Sequence, residues 1–442
     1  MTFSPGSVFV LALVLMTGCA LWIFSGVENR RFLLALFLVG FLVRAAISLS
    51  LDAVACGIEG GPAARRVIES PIGIIDRTRI HMQISDSDYY SQRGYAWAQH
   101  AKGFLKSIPP YYSTDYGWNG YLHVVASFYY LFDFSPTSVK FLNCFFGALL
   151  GPAIFFLAKA CFNLPTARWA SLIVSFFPSL VLWSATNLKE PLFFLLTVLL
   201  FLFFFRIQNS SRWRTGVFYG CLFAGVFLLH AIMRSAIYSW TMVACSFGAV
   251  FFTSRVSRFR KWIVFLILLA GVFVGQNYIR SFLIQAYVKH AGHIWTWGTV
   301  YKYLPEELYD SNYTVVWTRS SQFHAFQPMW IGKAVFRYLL EPFPSRINTL
   351  RVSMSFPQMV FWYFSLPFAF FGMAAACRRD IRCSLFMVLT LMVWTVVTAL
   401  TSGNIGTVLR IRDMLTPFYL LFACVGIRVF LYGRKELSHA HC

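Results

Sequence analysis

The sequence predicts an all-α polytopic membrane protein, and its composition and its patterning both lead to this class. Hydrophobic residues make up 58% of the 442 residues and charged residues only 12%, whereas a soluble domain carries about 25% charged residues. The apolar residues gather in long runs, and a spanning helix needs about 20 such residues. Lys and Arg cluster in the short gaps between the runs, which is typical of cytoplasmic loops.

We expect about eleven membrane-spanning helices in one domain that takes up residues 1–442. The shorter run from Tyr121 to Phe134 is interrupted by polar residues, so we interpret it as a helix that lies in the membrane interface. With this choice every gap rich in Lys and Arg falls on one side, which places the N-terminus outside and the C-terminus in the cytoplasm. The predicted spans are residues 7–26, 32–54, 138–161, 167–185, 191–206, 214–233, 236–253, 262–280, 357–377, 384–401 and 413–432.

This topology leaves two long exoplasmic loops, residues 55–137 and residues 281–356. Both are rich in Tyr and Trp, so we expect them to fold against the membrane surface and to carry short interfacial helices. The net charge of +21 does not indicate nucleic acid, because the basic residues lie close to the predicted spans. Membrane lipids with anionic head groups are the partners that this pattern favours.

The first long loop contains an acidic motif, Ser85-Asp86-Ser87-Asp88-Tyr89-Tyr90. Two carboxylates one residue apart are unusual in a chain with only 17 Asp and Glu residues. Asp86 or Asp88 can act as a general base on a hydroxyl group, and together they can hold a divalent cation, Mg²⁺ or Mn²⁺, against a phosphate. The alternative is a solvated turn, since Asp and Ser favour turns.

A second acidic candidate stands where Lys189, Glu190 and Pro191 begin a span. Pro fits the first turn of a helix and Glu suits the positive end of the helix dipole, so local helix chemistry can explain both residues. The other interpretation is that Lys189 and Glu190 face the same site as the first acidic motif. Glu190 would then be a further ligand of any metal ion.

Four basic residues near the predicted outer ends of spans are candidates for binding a phosphate. His230 and Arg234 are four residues apart and share a helix face, while Arg410 and Arg412 precede the last span. Arg binds phosphate through two parallel hydrogen bonds, so we predict the phosphate or pyrophosphate of a polyprenyl lipid as their ligand. For Arg410 and Arg412 the alternative is a salt bridge with Asp413.

The order of these features resembles the GT-C membrane glycosyltransferases, which include the dolichyl-phosphate-mannose-protein mannosyltransferases and a large bacterial group related to them. The resemblance extends from about Arg31 to Gly433 and depends on the order of short motifs. These motifs are Asp86-Ser87-Asp88-Tyr89-Tyr90, Ala96-Trp97-Ala98, Ser138-Val139-Lys140-Phe141-Leu142-Asn143, Phe176-Phe177-Pro178, Trp183-Ser184-Ala185, Lys189-Glu190 and Arg410-Ile411-Arg412.

The resemblance implies a role for the acidic residues. In the family an acidic residue of the first outer loop acts as a base or orients the acceptor, and sometimes a metal ion, so Asp86 and Asp88 are expected to take this role. Glu190 resembles a second acidic site. About thirty residues separate Asp86 from the second span, a longer interval than the resemblance suggests, and Asp52 at the end of that span is therefore an alternative acidic residue.

We therefore expect a glycosyltransferase that moves a hexose or pentose from a polyprenyl-phosphate-linked sugar to a lipid, glycan or protein acceptor. Its site would face the periplasm or exterior of a bacterial inner membrane, where cell-envelope polysaccharide is assembled. One alternative is a polymerase or ligase of lipid-linked glycans that uses His290, His293 and Arg319 of the second long loop. A flippase for lipid-linked glycans is the non-enzymatic alternative.

Overall fold

The computed structural model describes most of the chain, and two compact units are distinguished within it, one up to Ser235 and one from Ala236 onward. Across the described residues it contains fifteen α-helices and one short β-hairpin. The described residues are 4–58, 67–70, 73–76, 85–108, 120–210, 212–234, 236–253, 328–344, 355–401 and 405–433.

The first unit contains nine helices and the hairpin among its described residues. The two strands pair antiparallel, with Val67 opposite Asp76 and Ser70 opposite Gly73. The elements are α1 (Pro5–Phe24), α2 (Arg30–Ile58), β1 (Val67–Ser70), β2 (Gly73–Asp76), α3 (Ser85–Ala101), α4 (Gly120–Phe132), α5 (Pro136–Cys161), α6 (Leu164–Phe176), α7 (Pro178–Ser184), α8 (Glu190–Gln208) and α9 (Trp213–Met233).

Helix α5 is the centre of the first unit, because it packs against α1, α2, α6, α7 and α8. Small residues allow these close contacts. A Cβ atom at Gly147 would overlap the side chain of Ser184, and one at Gly151 would overlap that of Ser175. Most of α5 is consequently buried, and the polar residues near its first turns face protein rather than lipid.

Helices α6 and α7 form one bent unit, since they meet at an angle of 56° across Phe177. Pro178 has no N–H to continue the ladder of α6, which leaves carbonyl groups at the end of that helix in need of donors. Arg44 of α2 supplies one, because its Nη2 donates to the carbonyl of Ser175 at 2.8 Å. Its Nε donates to Ser184 Oγ, also at 2.8 Å, so this fully buried arginine holds both sides of the bend.

Helices α3 and α4 pack against each other beside this bundle, and α4 also contacts α1 and α9. Gly94 of α3 lies against Val125 of α4, where a Cβ atom would come within 2.5 Å of a Val125 methyl carbon. The Tyr90 and Tyr121 rings meet edge to face at 5.0 Å. The second and third turns of α3 are thereby held against α4.

The second unit contains six helices among its described residues. Helices α12 and α15 form its closest pair, because a glycine of each faces the backbone of the other. A Cβ atom at Gly372 would overlap the carbonyl of Phe422, and one at Gly426 would overlap that of Phe368. The helices are α10 (Ala236–Thr253), α11 (Pro328–Leu340), α12 (Phe356–Arg379), α13 (Ile381–Thr401), α14 (Ile405–Arg412) and α15 (Thr416–Tyr432).

The expected class of an all-α polytopic membrane protein is confirmed, with the hairpin as a small exception, but the count of eleven spans is not reproduced. Among the described residues six helices are long and apolar enough to cross a membrane, or eight when each bent pair counts as one span. The predicted span at 167–185 is the bent pair of α6 and α7, and the span at 413–432 covers α15, which forms a bent pair with the preceding α14. Those at 236–253 and 384–401 fall on α10 and α13, which miss this threshold over their described residues, and 262–280 lies outside the described residues.

Replacing Gly372 by Ala should destabilise the second unit by about 1 to 3 kcal/mol, because the added methyl group must push α12 away from α15. Gly220→Ala on α9 is the matched control, since a Cβ atom there meets no other atom within 4 Å and Ala favours a helix by about 1 kcal/mol over Gly. Thermal unfolding in detergent measures the melting temperature of each variant. Equal melting temperatures for the two variants would contradict the close helix contact.

Candidate functional site

A group of buried polar side chains of the first unit lies at one end of its helix bundle, which we call the site end. It is the end at which α2 and α9 finish and α5 and α8 begin, as contacts between their terminal residues show. The five residues Ala185–Lys189, which we call the α7–α8 loop, also lie there. These are the positions where a membrane-embedded protein presents polar groups to a lipid head group.

The α7–α8 loop is held by Asn143, a fully buried residue of α5. The Nδ2 group of Asn143 donates to the carbonyl of Thr186 at 2.7 Å and to that of Leu188 at 2.8 Å. A loop between two helices carries backbone carbonyls that no helix partner satisfies. A single amide from the central helix satisfies two of them and fixes the path of the chain into α8.

Asn187 connects this loop to the helices of the first long loop. Its Oδ1 accepts a hydrogen bond from the hydroxyl of Tyr121 at 2.6 Å. Its Nδ2 donates to Ser91 Oγ at 2.8 Å and lies 3.5 Å from the carbonyl oxygen of Ser87. Burial raises the pKa of the Tyr121 hydroxyl well above its usual value, so this group remains a donor.

Asp86 and Asp88 belong to the first turn of α3, on either side of Ser87. The sequence left a solvated turn open as the alternative, and the backbone is instead helical from Ser85 onward. Acidic residues suit this position, since the first turn carries the positive end of the helix dipole. Their side chains lie outside the described part of the chain, and the catalytic role of both residues stays a prediction.

Glu190 begins α8 and pairs with Arg234 at the end of α9. Glu190 Oε1 lies 3.5 Å from Arg234 Nη1, with the carboxylate fully buried and the arginine side chain 14% exposed. The Arg234 guanidinium also lies over the ring of Phe193 at 5.9 Å. The second acidic candidate is therefore a buried partner of one of the predicted phosphate ligands, and Lys189 directly precedes it in the chain.

His230 lies one turn before Arg234 and is fully buried. Its ring stacks on Phe193 with the centroids 4.3 Å apart, and its Nε2 lies 3.1 Å from Thr197 Oγ1. This environment favours a packing role, in which the histidine supports Phe193 beneath Arg234. A direct contact of His230 with a phosphate stays a prediction from the sequence.

Asp52, the alternative acidic residue, pairs with Lys140 at the site end. Lys140 Nζ and Asp52 Oδ1 are 2.5 Å apart, and the side chains are 4% and 27% exposed. Lys140 precedes Asn143 by three residues, so both side chains share the face of α5 that is turned toward the loop. A lysine is rarely buried unless it is paired, and Asp52 supplies the compensating charge.

In the second unit Arg412 caps the end of α11. Its Nη1 donates to the carbonyl of Glu341 at 2.7 Å, and its guanidinium lies over the ring of Trp362 at 5.0 Å. Trp362 Nε1 donates to the neighbouring carbonyl of Leu339 at 2.7 Å. Arg412 is 1% exposed, so its guanidinium is engaged with protein carbonyls, whereas Arg410 is only partly buried.

Three predicted residues of the second long loop receive no structural test. His290, His293 and Arg319 lie outside the described residues. Within the described part of the chain no group of three or more His, Cys, Asp or Glu side chains is placed to hold a metal ion. Glu190 does not fit the expected role of metal ligand well, because its carboxylate is paired with Arg234.

Sequence reasoning assigned no role to the residues that hold the site end together, which are Asn143, Asn187, Tyr121 and Lys140. Three of them carried a signal, since Lys140, Asn143 and Asn187 are polar residues at the beginning of long apolar runs. Their partners lie 43 to 96 residues away along the chain, so spacing could not reveal the contacts.

The described helices and this polar end define an integral membrane protein whose candidate chemistry lies where the helices finish. Residues 120–277 match the model of the dolichyl-phosphate-mannose-protein mannosyltransferase family. The predicted resemblance is therefore confirmed over this segment, which includes the whole of α4 to α10 and thus Asn143, Asn187, Glu190 and Arg234. No curated protein matches the chain significantly. The findings support a membrane protein of the glycosyltransferase type.

Glu190→Gln should lower the free energy of unfolding by about 3 kcal/mol, because it leaves the partly buried charge of Arg234 without its carboxylate. Arg234→Met in the same chain should recover part of this loss, since no unpaired charge then remains. Chemical unfolding in mixed micelles, followed by tryptophan fluorescence, measures both. The single variant Arg234→Met is measured as well. A double variant whose loss of unfolding free energy equals the sum of the losses in the two single variants would contradict a direct interaction between Glu190 and Arg234.

Proposed function

We propose that this protein is a glycosyltransferase that moves a sugar from a polyprenyl-phosphate-linked donor to an acceptor hydroxyl of a lipid, glycan or protein. One observation carries the proposal. The first two turns of α3, which carry Asp86 and Asp88, contact the α7–α8 loop through Ser91 and the carbonyl of Ser87. That loop leads into Glu190 and its partner Arg234. The loop, Glu190 and Arg234 belong to the segment, residues 120–277, that matches a glycosyltransferase family, and α3 precedes that segment.

The reaction is a single displacement at the anomeric carbon. Asp86 or Asp88 accepts the proton of the acceptor hydroxyl, and the oxygen of that hydroxyl forms the new bond to the anomeric carbon. The bond between the anomeric carbon and the phosphate oxygen breaks, and its electron pair leaves with the polyprenyl phosphate. Attack from the opposite side inverts the configuration of the sugar.

Positive charge near the leaving phosphate lowers the barrier, because negative charge develops there in the transition state. Arg234 is the first candidate, since its side chain is 14% exposed and it lies at the end of α9, with a carboxylate oxygen of Glu190 at 3.5 Å. Lys140 is the second, with the partly exposed Asp52 as its partner. At Lys140 a phosphate can replace the carboxylate of Asp52, which is partly exposed, whereas at Arg234 it must bind beside Glu190, because the fully buried Glu190 needs its counter-charge.

The arginines of α14 contribute differently to the proposal. Arg412 is occupied by the carbonyls at the end of α11, which suits a supporting role. Arg410, two residues earlier and partly exposed, is the better candidate for a phosphate. A divalent cation would depend on Asp86 and Asp88, since Glu190 is engaged, and no step of the reaction is assigned to it.

A lipid-linked donor fits the position of the site end. The polyprenyl chain can remain in the hydrocarbon region while its phosphate and sugar reach the ends of α5 and α8, where the polar residues lie. We assign this end to the exoplasmic, periplasmic face of a bacterial inner membrane, because the charged gaps of the sequence favour the opposite face for the cytoplasm.

Asp86→Asn and Asp88→Asn are expected to identify the base. The variant that lacks it should lose at least about 100-fold in kcat, the usual contribution of a general base. Release of polyprenyl phosphate from a labelled polyprenyl-phosphate sugar in proteoliposomes measures the rate. Asp133→Asn is the matched control, since Asp133 is exposed and paired with Lys102, and Asn tolerates its positive φ of 60°. Full activity in both variants and in their double variant would remove the proposed chemistry.

Surface labelling tests the assigned orientation. Phe104 follows α3 and Val27 lies between α1 and α2, with 76% and 77% of their surfaces exposed. In intact spheroplasts a membrane-impermeant maleimide should label Phe104→Cys more than the parent chain, because this segment faces the periplasm. Val27→Cys should gain label only after permeabilisation. The reverse pattern would place the site end in the cytoplasm.

A further inference from the structure

Asn187 makes contacts that a residue which only fills space would not need. Its side chain is fully buried, and its amide links three elements, the α7–α8 loop, α4 and α3. The oxygen accepts from Tyr121 of α4, and the nitrogen donates to Ser91 of α3. Since the carbonyl oxygen of Ser87 can only accept, the NH₂ group of Asn187 is directed at α3 and its oxygen faces Tyr121.

The contact with α3 reaches the acidic motif itself. Ser91 lies one turn after Ser87 on the same helix face, and the amide nitrogen of Asn187 also approaches the carbonyl oxygen of Ser87 at 3.5 Å. That carbonyl belongs to the peptide group between Ser87 and Asp88. The bond to Ser91 is the stronger of the two, because 3.5 Å is at the outer limit for a hydrogen bond.

The other side of the contact is equally well fixed. Asn143 holds the loop on both sides of Asn187, through the carbonyls of Thr186 and Leu188. Three residues after Asn187 the chain reaches Glu190, which pairs with Arg234. One short loop and one side chain therefore connect the first two turns of α3 directly to the Glu190–Arg234 pair, in addition to the packing of α3 on α4.

We propose that Asn187 is a positioning residue, which sets the place of the first turn of α3, and with it Asp86 and Asp88, relative to Glu190 and Arg234. This inference rests on the proposed function, because it assigns the carboxylates of that turn to the reaction. A misplacement of about 1 Å between reacting groups can cost about 100-fold in rate. Asn187 acts through the backbone of α3 and needs no contact with the substrate.

Steady-state kinetics of Asn187→Ala in proteoliposomes tests the proposal. We expect kcat per folded enzyme to fall about 100-fold, while KM for the polyprenyl-phosphate sugar changes by less than about twofold, because the phosphate-binding cations keep their places. Ser91→Ala removes the partner on α3 with little change in volume, and should lower kcat about 10-fold. The Ser91→Ala variant still tests the proposal if Asn187→Ala does not fold.

The matched control is Asn163→Ala. Asn163 caps α6 by accepting a hydrogen bond from the Thr166 N–H at 3.0 Å, so its loss should cost about 1 kcal/mol of stability and leave kcat unchanged. Circular dichroism and size-exclusion chromatography give the folded fraction of each variant. A kcat of Asn187→Ala and Ser91→Ala equal to that of Asn163→Ala would overturn the positioning role.

A combined variant separates this inference from the proposed function. In a chain that carries Asp86→Asn and Asp88→Asn, Asn187→Ala should cause no further loss, because no carboxylate remains to be positioned. If the two Asp variants are inactive and Asn187→Ala is fully active, the positioning role alone is wrong. If the two Asp variants are fully active, the proposed function is wrong, and the positioning role with it.

Discussion

A helix that breaks inside a membrane protein must find hydrogen-bond partners for its backbone, because lipid supplies none. The first unit depends on this constraint. Arg44 supplies donors at the bend between α6 and α7, and Asn143 supplies donors to the loop that follows α7. These two side chains pair with the carbonyls of Ser175, Thr186 and Leu188, where the chain turns twice on its way to Glu190, and the candidate chemistry is built on that turn.

Charge at the site end is arranged in pairs of unequal exposure. Arg234 is the more exposed member of its pair with Glu190, whereas Asp52 is the more exposed member of its pair with Lys140. Each buried charge is compensated before any ligand arrives, which avoids the penalty of an isolated ion. A phosphate group can exchange with the partly exposed Asp52 at Lys140, and it can bind the exposed part of Arg234 while Glu190 keeps its pairing.

The sequence predicted the helices better than the site. Ten of the predicted spans fall on described helices or bent pairs, because a run of about 20 apolar residues has few other structures available. The bends were missed, although Pro178 marks one of them, since hydropathy averages over a break of a single residue. Asn143 and Asn187 could not be predicted, because an amide in an apolar run does not indicate which distant carbonyl or hydroxyl it meets. Arg412 was chosen for its charge, whereas packing under Trp362 and against the end of α11 determines its surroundings.

The side chains that support the α7–α8 loop are the amides of Asn143 and Asn187 and the phenol of Tyr121. None of them takes up or loses a proton in the physiological pH range. Tyr121 in particular stays protonated because burial raises its pKa. The scaffold should therefore keep one geometry when the surrounding medium becomes acid or alkaline. Any response of turnover to acidity would then have its origin in the charged groups of the site and its substrate, and not in these three supports of the loop.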